Sequence, residues 1–439
     1  MNKKIVPLFL RYCIIINKFG EEFVKEFKKL ISKGINKGSG IVARKYLRKF
    51  KRLKREGQSS GVVLGIRATL KKTSVRWIIA VLMIAILISG IYLYNRYNKY
   101  EDYSVIKSIK IESGAGSKYI PFGDFVVRYS SDGISYLDAK ETIWDEAYEM
   151  KAPMVDVCDS YLAICDKNTN DIYLYNESGK QGKITTSYPI IKLEVAEQGV
   201  VTALLEDKNA NYIEVYDKSG HRLVSHKTLI DENGYPLNFS LSDDGTKMLV
   251  SYLAINNGVI NNKILFYNFS KAGKNSSDRM VGGFEQYKET IVPLVQFVSN
   301  NDAVAVGENI LTIYKMKSKP SLQKEVSFKD EIQKVFYSED YVGLVFKNTN
   351  SKKPYRVEAY NLHGNRVMKF DMDMEFDTVK FAGKNVVMYN DMNCQIVSFK
   401  GVKKFEHTFK EEITDIIPTD GSRTYLLMTN SAIEKIRLK

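Results

Sequence analysis

Apolar and polar positions divide this chain into three regimes. From Trp77 to Tyr94 the sequence WIIAVLMIAILISGIYLY carries no charge and no polar stripe. The nineteen residues between Arg76 and Arg96 would reach about 28 Å as a helix, close to the thickness of a hydrocarbon core. This run predicts one transmembrane helix over 76–96. Trp77 stands at one interface and Tyr92 and Tyr94 at the other, where amphipathic rings settle, and Arg76 and Arg96 bracket the span. A buried core helix would show a polar stripe that this one lacks.

Ahead of the span the spacing is helical but the composition is not that of a core. Phe19, Phe23, Phe27, Leu30 and Ile31 recur at helical intervals among Glu and Lys. After a break at Gly34, Gly38 and Gly40, Val42, Tyr46, Phe50 and Leu53 share a second face. Residues 1–75 therefore read as amphipathic helices or a disordered basic segment. Ile5–Ile16 is apolar, but it is too short and too interrupted by Pro7 and Arg11 to cross a bilayer.

Behind the span the period changes to that of strands. Residues 97–104 read as a polar stalk and 105–439 as β throughout, with short Val, Ile, Tyr and Phe runs separated by Asp, Asn, Gly and Ser clusters. One strand pattern repeats: an apolar residue, two variable positions, an aromatic or aliphatic residue, then Asp, Asn, Lys or Arg. It occurs at Ile134, Ile172, Ile213, Ile264, Leu311, Val357, Ile396 and Ile433, at separations between 37 and 51 residues. That spacing suits one four-stranded propeller blade plus insertions. Before each copy comes a strand, a tight polar turn and a more apolar strand, most clearly in FSLSDDGTKMLVSY from Phe239 and DVCDSYLAICD from Asp156. The apolar strand is expected in the buried middle of its blade. The last unit has three strands only, so ring closure needs a fourth, and Val105–Ile111 is the spare one. The expected fold is an all-β propeller of eight blades, or seven, behind one transmembrane helix; two β-sandwiches are the competing arrangement.

The turn Ser242-Asp-Asp-Gly245-Thr-Lys-Met-Leu is similar to the Ser-Pro-Asp-Gly-Lys-x-Leu turn of bacterial WD40-like and pyrroloquinoline-quinone-like (PQQ-like) propellers. In layout, the chain resembles a family of uncharacterised bacterial single-pass membrane proteins with an extracytoplasmic propeller, classed as a domain of unknown function. The resemblance implies a fold and a topology, and no activity.

Charge orients the span. Residues 1–76 hold 21 Lys and Arg against four acids, a balance of +17, while the remainder balances at −3. Positive residues flanking a span stay cytoplasmic, which puts the N-terminus inside and the C-terminal domain outside a cell membrane. A cleaved signal peptide would have a short charged region and a shorter apolar core. Arg44, Lys45, Arg48, Lys49, Lys51, Arg52, Lys54 and Arg55 form one basic face. It reads as a solvated juxtamembrane segment, or as a helix lying on the anionic inner leaflet. Nucleic acid comes third, because no helix-turn-helix, zinc-finger or RNA-binding signature accompanies the charge.

Candidate chemistry is sparse. His221, His226, His363 and His407 show no metal-ligand spacing, so neither metal nor cofactor is expected. Placing Asp159-Ser160 at a turn pairs Cys158 with Tyr161 and Cys165 with Met154, which sets the two thiols on one face about 13 Å apart, beyond disulfide reach. Only Trp144 is available beyond the span, the adjacent cysteine pair of quinone dehydrogenases is absent, and no G-x-S-x-G elbow occurs. The expectation is a non-catalytic, membrane-anchored module whose propeller binds an extracytoplasmic protein or cell-wall partner. A propeller enzyme, either quinoprotein-like or a hydrolase, is the alternative.

Overall fold

Short strands need neighbours on both edges, and this chain supplies them by repetition. The computed structural model describes residues 97–439 except 111–115, 124, 138–140, 257, 349–351 and 420–422, together with Met83, Ala85, Ile86, Leu87, Ser89 and Gly90. Most of the Trp77–Tyr94 run and all of residues 1–75 lie outside the described residues. Among the described residues no helix is long and apolar enough to cross a membrane.

The β region folds into eight antiparallel four-stranded sheets. Seven are consecutive meanders, here called blades 1 to 7: residues 118–147, 153–185, 190–229, 235–288, 294–327, 332–372 and 378–408. Blade 8 takes its three inner strands from 413–438 and its outer strand from Tyr103–Lys110. That strand runs antiparallel to Ala432–Leu438, with Tyr103 opposite Leu438 and Ile109 opposite Ile433. The spare strand thus closes the ring, beginning two residues before the expected Val105. All eight repeat copies fall on third strands, from Gly133–Leu137 to Ala432–Leu438.

Second strands are buried on both faces because a neighbouring blade covers each side. Tyr161–Asp166, Asp302–Val306 and Asn385–Tyr389 are accordingly near-continuous apolar runs. Outer strands face solvent, and Pro320–Ser327 is exposed at most positions. Between blades lie eight apolar clusters, one for each neighbouring pair. The cluster joining blade 8 to blade 1 sets Ile417, Met428 and Ile433 against Tyr119, Val126 and Leu137. Every strand and every cluster of the ring therefore comes from residues 97–439, which form one compact unit. The aromatic residue of the repeat is buried in these interfaces, where its hydroxyl finds a partner: the Tyr175 hydroxyl donates to Glu146 at 2.8 Å and that of Tyr360 to Glu358 at 2.5 Å.

Turn chemistry holds the blades' ends. Asp217 Oδ1 accepts from the N–H groups of Ser219 and His221, both at 2.9 Å, and Gly220 supplies the left-handed residue that completes the turn. The stalk expected at 97–104 is instead bound to the ring. The Tyr100 N–H donates to the Lys404 carbonyl at 2.7 Å, the Glu101 N–H donates to the Lys439 carbonyl at 3.1 Å, and Tyr100 and Tyr103 pack on the cluster between blades 7 and 8. Apolar ring area outweighed the polar character of this stretch.

Because the closing strand is an outer strand, its first residue fixes the ring's two ends. The base, where the chain arrives at Tyr103, carries the turns from first to second and from third to fourth strands. The crown carries the turns from second to third strands and the links between blades.

Candidate functional site

Two places gather polar groups from distant parts of the chain. The first is the axis, surrounded by the inner strands Pro153–Cys158, Ile190–Val195, Tyr235–Leu241, Leu294–Phe297 and Ile332–Tyr337 of blades 2 to 6. Asp156 Oδ2 accepts from the Val195 N–H at 2.7 Å, and Glu194 Oε2 accepts from the Leu241 N–H at 2.7 Å. Ser240 Oγ accepts from the Phe297 N–H at 3.0 Å, and the Tyr337 hydroxyl donates to Gln296 Oε1 at 3.0 Å. Each inner strand is thereby stitched to the next. Lys192 donates to Glu194 Oε1 at 2.7 Å and to Asn238 Oδ1 at 2.6 Å, so the carboxylate is neutralised where it is buried.

Burial and then the nearby Glu194 push the Asp156 carboxyl up to about 7. The same crowding pushes Tyr337 up to about 12, through burial first and then Glu194 and Asp156. Cys158 rises to about 12 through burial, then Asp243, Asp156 and Glu197, which makes it an unreactive thiol. Burial, then Glu339 and Glu197, raise Asp243. Carboxylates from four blades thus crowd the base end of the axis. Across the ring Lys380 pairs with Asp415, which also accepts from the Tyr389 hydroxyl at 2.6 Å. Among the described residues no cluster of His, Cys, Asp and Glu has metal-holding geometry.

The second place is the crown of blade 4. Its middle strands, Lys247–Asn256 and Val259–Asn268, have ten residues each, against five to seven in every other blade. They stay paired to the tip, where Asn256 meets Val259. A one-turn helix, α1 (Ile230–Asn233), sits in the link leading into the blade. Between α1 and the hairpin opens a cleft of about 530 Å³, lined by Ile230, Tyr235, Leu253, Ile255, Lys263 and Lys288 among others. Ile255 is 67% exposed, with Val259 and Ile230 also exposed beside it. Below the cleft Asn262 is fully used: its Nδ2 donates to Ser251 Oγ at 2.8 Å and its Oδ1 accepts from the Val292 N–H at 2.8 Å. The 51-residue gap between the third and fourth repeat copies marks this insertion in the sequence, but not its apolar tip.

The membrane-anchor residues Arg76, Trp77, Tyr92, Tyr94 and Arg96, and the basic face Arg44, Lys45, Arg48, Lys49, Lys51, Arg52, Lys54 and Arg55, lie outside the described residues. The four histidines are dispersed. His221 faces Asp217 at 3.3 Å in an exposed turn, His226 lies under Tyr267 with burial lowering its pKa, and His407 packs among Tyr103, Phe405 and Phe409. His363 is exposed in the last turn of blade 6. Cys158 opposes Tyr161 and Cys165 opposes Met154, as the turn placement requires, and both thiols are free.

These features define a closed eight-bladed β-propeller with a stitched axis and one decorated crown. The chain belongs to the family of unknown function DUF5711, whose profile matches residues 96–438. Among curated proteins no relative matches it. Solved structures similar to it include Sqt1 from Chaetomium thermophilum, at 9% identity over 77% of this chain and 99% of that one, with a TM-score of 0.49. The Neurospora crassa Pan2 WD40 domain matches at 10% identity, over 76% and 95%, with a TM-score of 0.41. Kuenenia stuttgartiensis hydrazine synthase matches at 12%, over 68% and 98%, with a TM-score of 0.43. At these values the likenesses carry no argument; the fold rests on strand pairing.

Proposed function

We propose that this protein is a single-pass membrane protein, N-terminus in the cytoplasm, whose extracytoplasmic propeller is a non-catalytic binding module that engages a protein or cell-wall partner through the crown of blade 4. The observation that carries the reading is the paired hairpin that lifts Ile255 and Val259 clear of the ring beside a cleft with polar walls. Large exposed apolar side chains grouped around a concavity are what a binding surface presents. The uncharged run and the +17 against −3 division support the membrane assignment, and the inner-leaflet reading of Arg44–Arg55 goes with it.

The test is capture from the organism's own membranes. The full-length protein should retain a partner that Ile255→Asp with Val259→Asp loses, while both proteins unfold at the same temperature. An unchanged set of captured partners refutes the crown assignment. Protease added to intact, wall-stripped cells should digest residues 103–439 and spare 3–67; the opposite pattern reverses the topology. The second reading, an envelope enzyme of quinoprotein-like or hydrolase type, draws on the Asp156, Glu194 and Lys192 group at the axis. It requires turnover that Asp156→Asn abolishes.

A further inference from the structure

The base of the ring differs from the crown in a way the binding reading does not use. Six of the eight outer strands carry a large exposed apolar residue within their first four positions, the end that lies at the base: Val105, Ile143, Leu223, Met280, Leu322 and Val367. Leu223 is 57% exposed and Leu322 45%. At the crown, the large exposed apolar residues among the described residues are confined to blade 4. Scattered exposed leucines need no explanation, but the same level of one rim on six blades is a pattern.

Charge sorts the same way. The described turn residues from third to fourth strand in blades 1 to 7 (141, 177–178, 217–221, 269–279, 317–319, 362–365 and 399–402) hold seven Lys and Arg against four acids. One of those acids, Asp217, is spent inside its own turn. Lys218, Lys271, Lys274, Lys317 and Lys319 are all exposed there. The seven described links between blades at the crown hold eleven acids against three bases. The described turns from first to second strand, nearer the axis, hold six acids, Asp159, Glu197, Asp243, Asp244, Glu339 and Asp340, against Lys384 and Arg423, so the positive charge of the base is confined to its outer rim.

We propose that this rim is a membrane-docking surface: the base of the propeller rests on an anionic bilayer, with the lysines at the headgroups and the apolar residues entering the interface. The inference rests on reading Trp77–Tyr94 as a span, since the chain reaches the base at Tyr97, three residues after that run ends. Basic side chains with interleaved apolar ones are the composition an interfacial surface needs, because headgroup attraction and burial of apolar area act together. A soluble polyanion would engage the lysines and leave the apolar residues without a role. The rim also explains why the segment before the closing strand is bound to blades 7 and 8: a tethered ring held close to a bilayer needs a short, fixed approach.

The test uses residues 97–439, which contain every strand and every inter-blade cluster of the ring. This piece should sediment with phosphatidylglycerol-containing vesicles at least tenfold more tightly than with pure phosphatidylcholine, and the preference should fade in high salt as screening shortens. Replacing Lys218, Lys271, Lys274, Lys317 and Lys319 by Gln should weaken binding at least tenfold, and Leu223→Ser with Leu322→Ser several-fold. Lys167→Gln, exposed in a crown turn of blade 2, should leave vesicle binding unchanged. These positions are exposed, so equal unfolding midpoints will show that the variants fold. Equal affinity for both vesicles, or no effect of the five Gln replacements, overturns the proposal. Polyphosphate binding as tight as vesicle binding, with no effect of the Leu replacements, also overturns it and marks a polyanion site. The protease assay reports on the span separately, so a failed rim and a failed span are distinguishable.

Discussion

Asp156 offers a test of the axis that needs no partner. In the folded ring its carboxyl titrates near 7, against 3.8 for the free group, because burial and Glu194 both oppose its charge. Between about pH 4 and 7 the folded protein keeps a proton that the unfolded chain has released, so stability must fall as pH rises through that window and level off above it. Three units are worth about 4 kcal/mol at 1.36 kcal/mol each. Water reaching the axis relaxes part of the burial cost, and an effect of roughly 2 to 4 kcal/mol is expected. At about 2 cal/mol/K per residue over a ring of this size, that is roughly 3 to 6 °C in Tm. Asp156→Asn removes the charge and keeps an oxygen for the Val195 N–H. At pH 4 the two proteins should unfold nearly together; at pH 8 the Asn variant should be the more stable by that margin. Groups away from the axis contribute equally to both proteins and cancel in the difference; those that face Asp156, Glu194 first, do not. Asp217, held down to about 2 chiefly by its bond from Ser219, acts only below about pH 4, and His226, lowered by burial, tilts the window the opposite way. Thermal unfolding followed by circular dichroism from pH 4 to 8 reads the difference. Parallel curves, or a less stable Asn variant at pH 8, would refute the placement of Asp156 in a low-dielectric stitch.

Two further expectations follow from closure and packing. Deleting residues 97–110 removes the strand paired to Ala432–Leu438 and leaves an open edge, so the product should self-associate on size-exclusion chromatography and unfold at least 10 °C lower; a monomer of unchanged Tm would show that the eighth blade does not depend on the closing strand. At Gly343 an added Cβ would fall inside the ring of Phe336, its cross-strand partner, whose ring lies 4.5 Å from that of Phe381 in the next blade. Gly343→Ala should therefore cost about 1 to 3 kcal/mol in denaturant unfolding, and a neutral result would mean that Phe336 has room to turn away.

What could be read without coordinates was whatever repeats or is local. The period of about 40 residues and the apolar second strands point to blades because each blade solves the same burial problem, and eight third strands bear the same tag for that reason. The pairing of Cys158 with Tyr161 followed from one two-residue turn. The missing fourth strand in the last unit exposed the closure, since an unpaired edge is costly wherever it occurs. What sequence could not supply was convergence. Asp156, Glu194 and Tyr337 belong to three blades, and only the radius of the closed ring decides that their charges meet. The basic, apolar rim was invisible for a related reason: Leu223, Met280 and Leu322 look like ordinary alternating strand residues. Their common level appears only once the direction of the closing strand assigns every outer strand's first residues to the base. The crown of blade 4 lies between these cases, its insertion announced by a long repeat interval and its exposed tip decided by how far the two strands stay paired past their neighbours. Local turn and burial rules act over a few residues and are written in order along the chain, whereas a shared axis or rim is set by the geometry of closure.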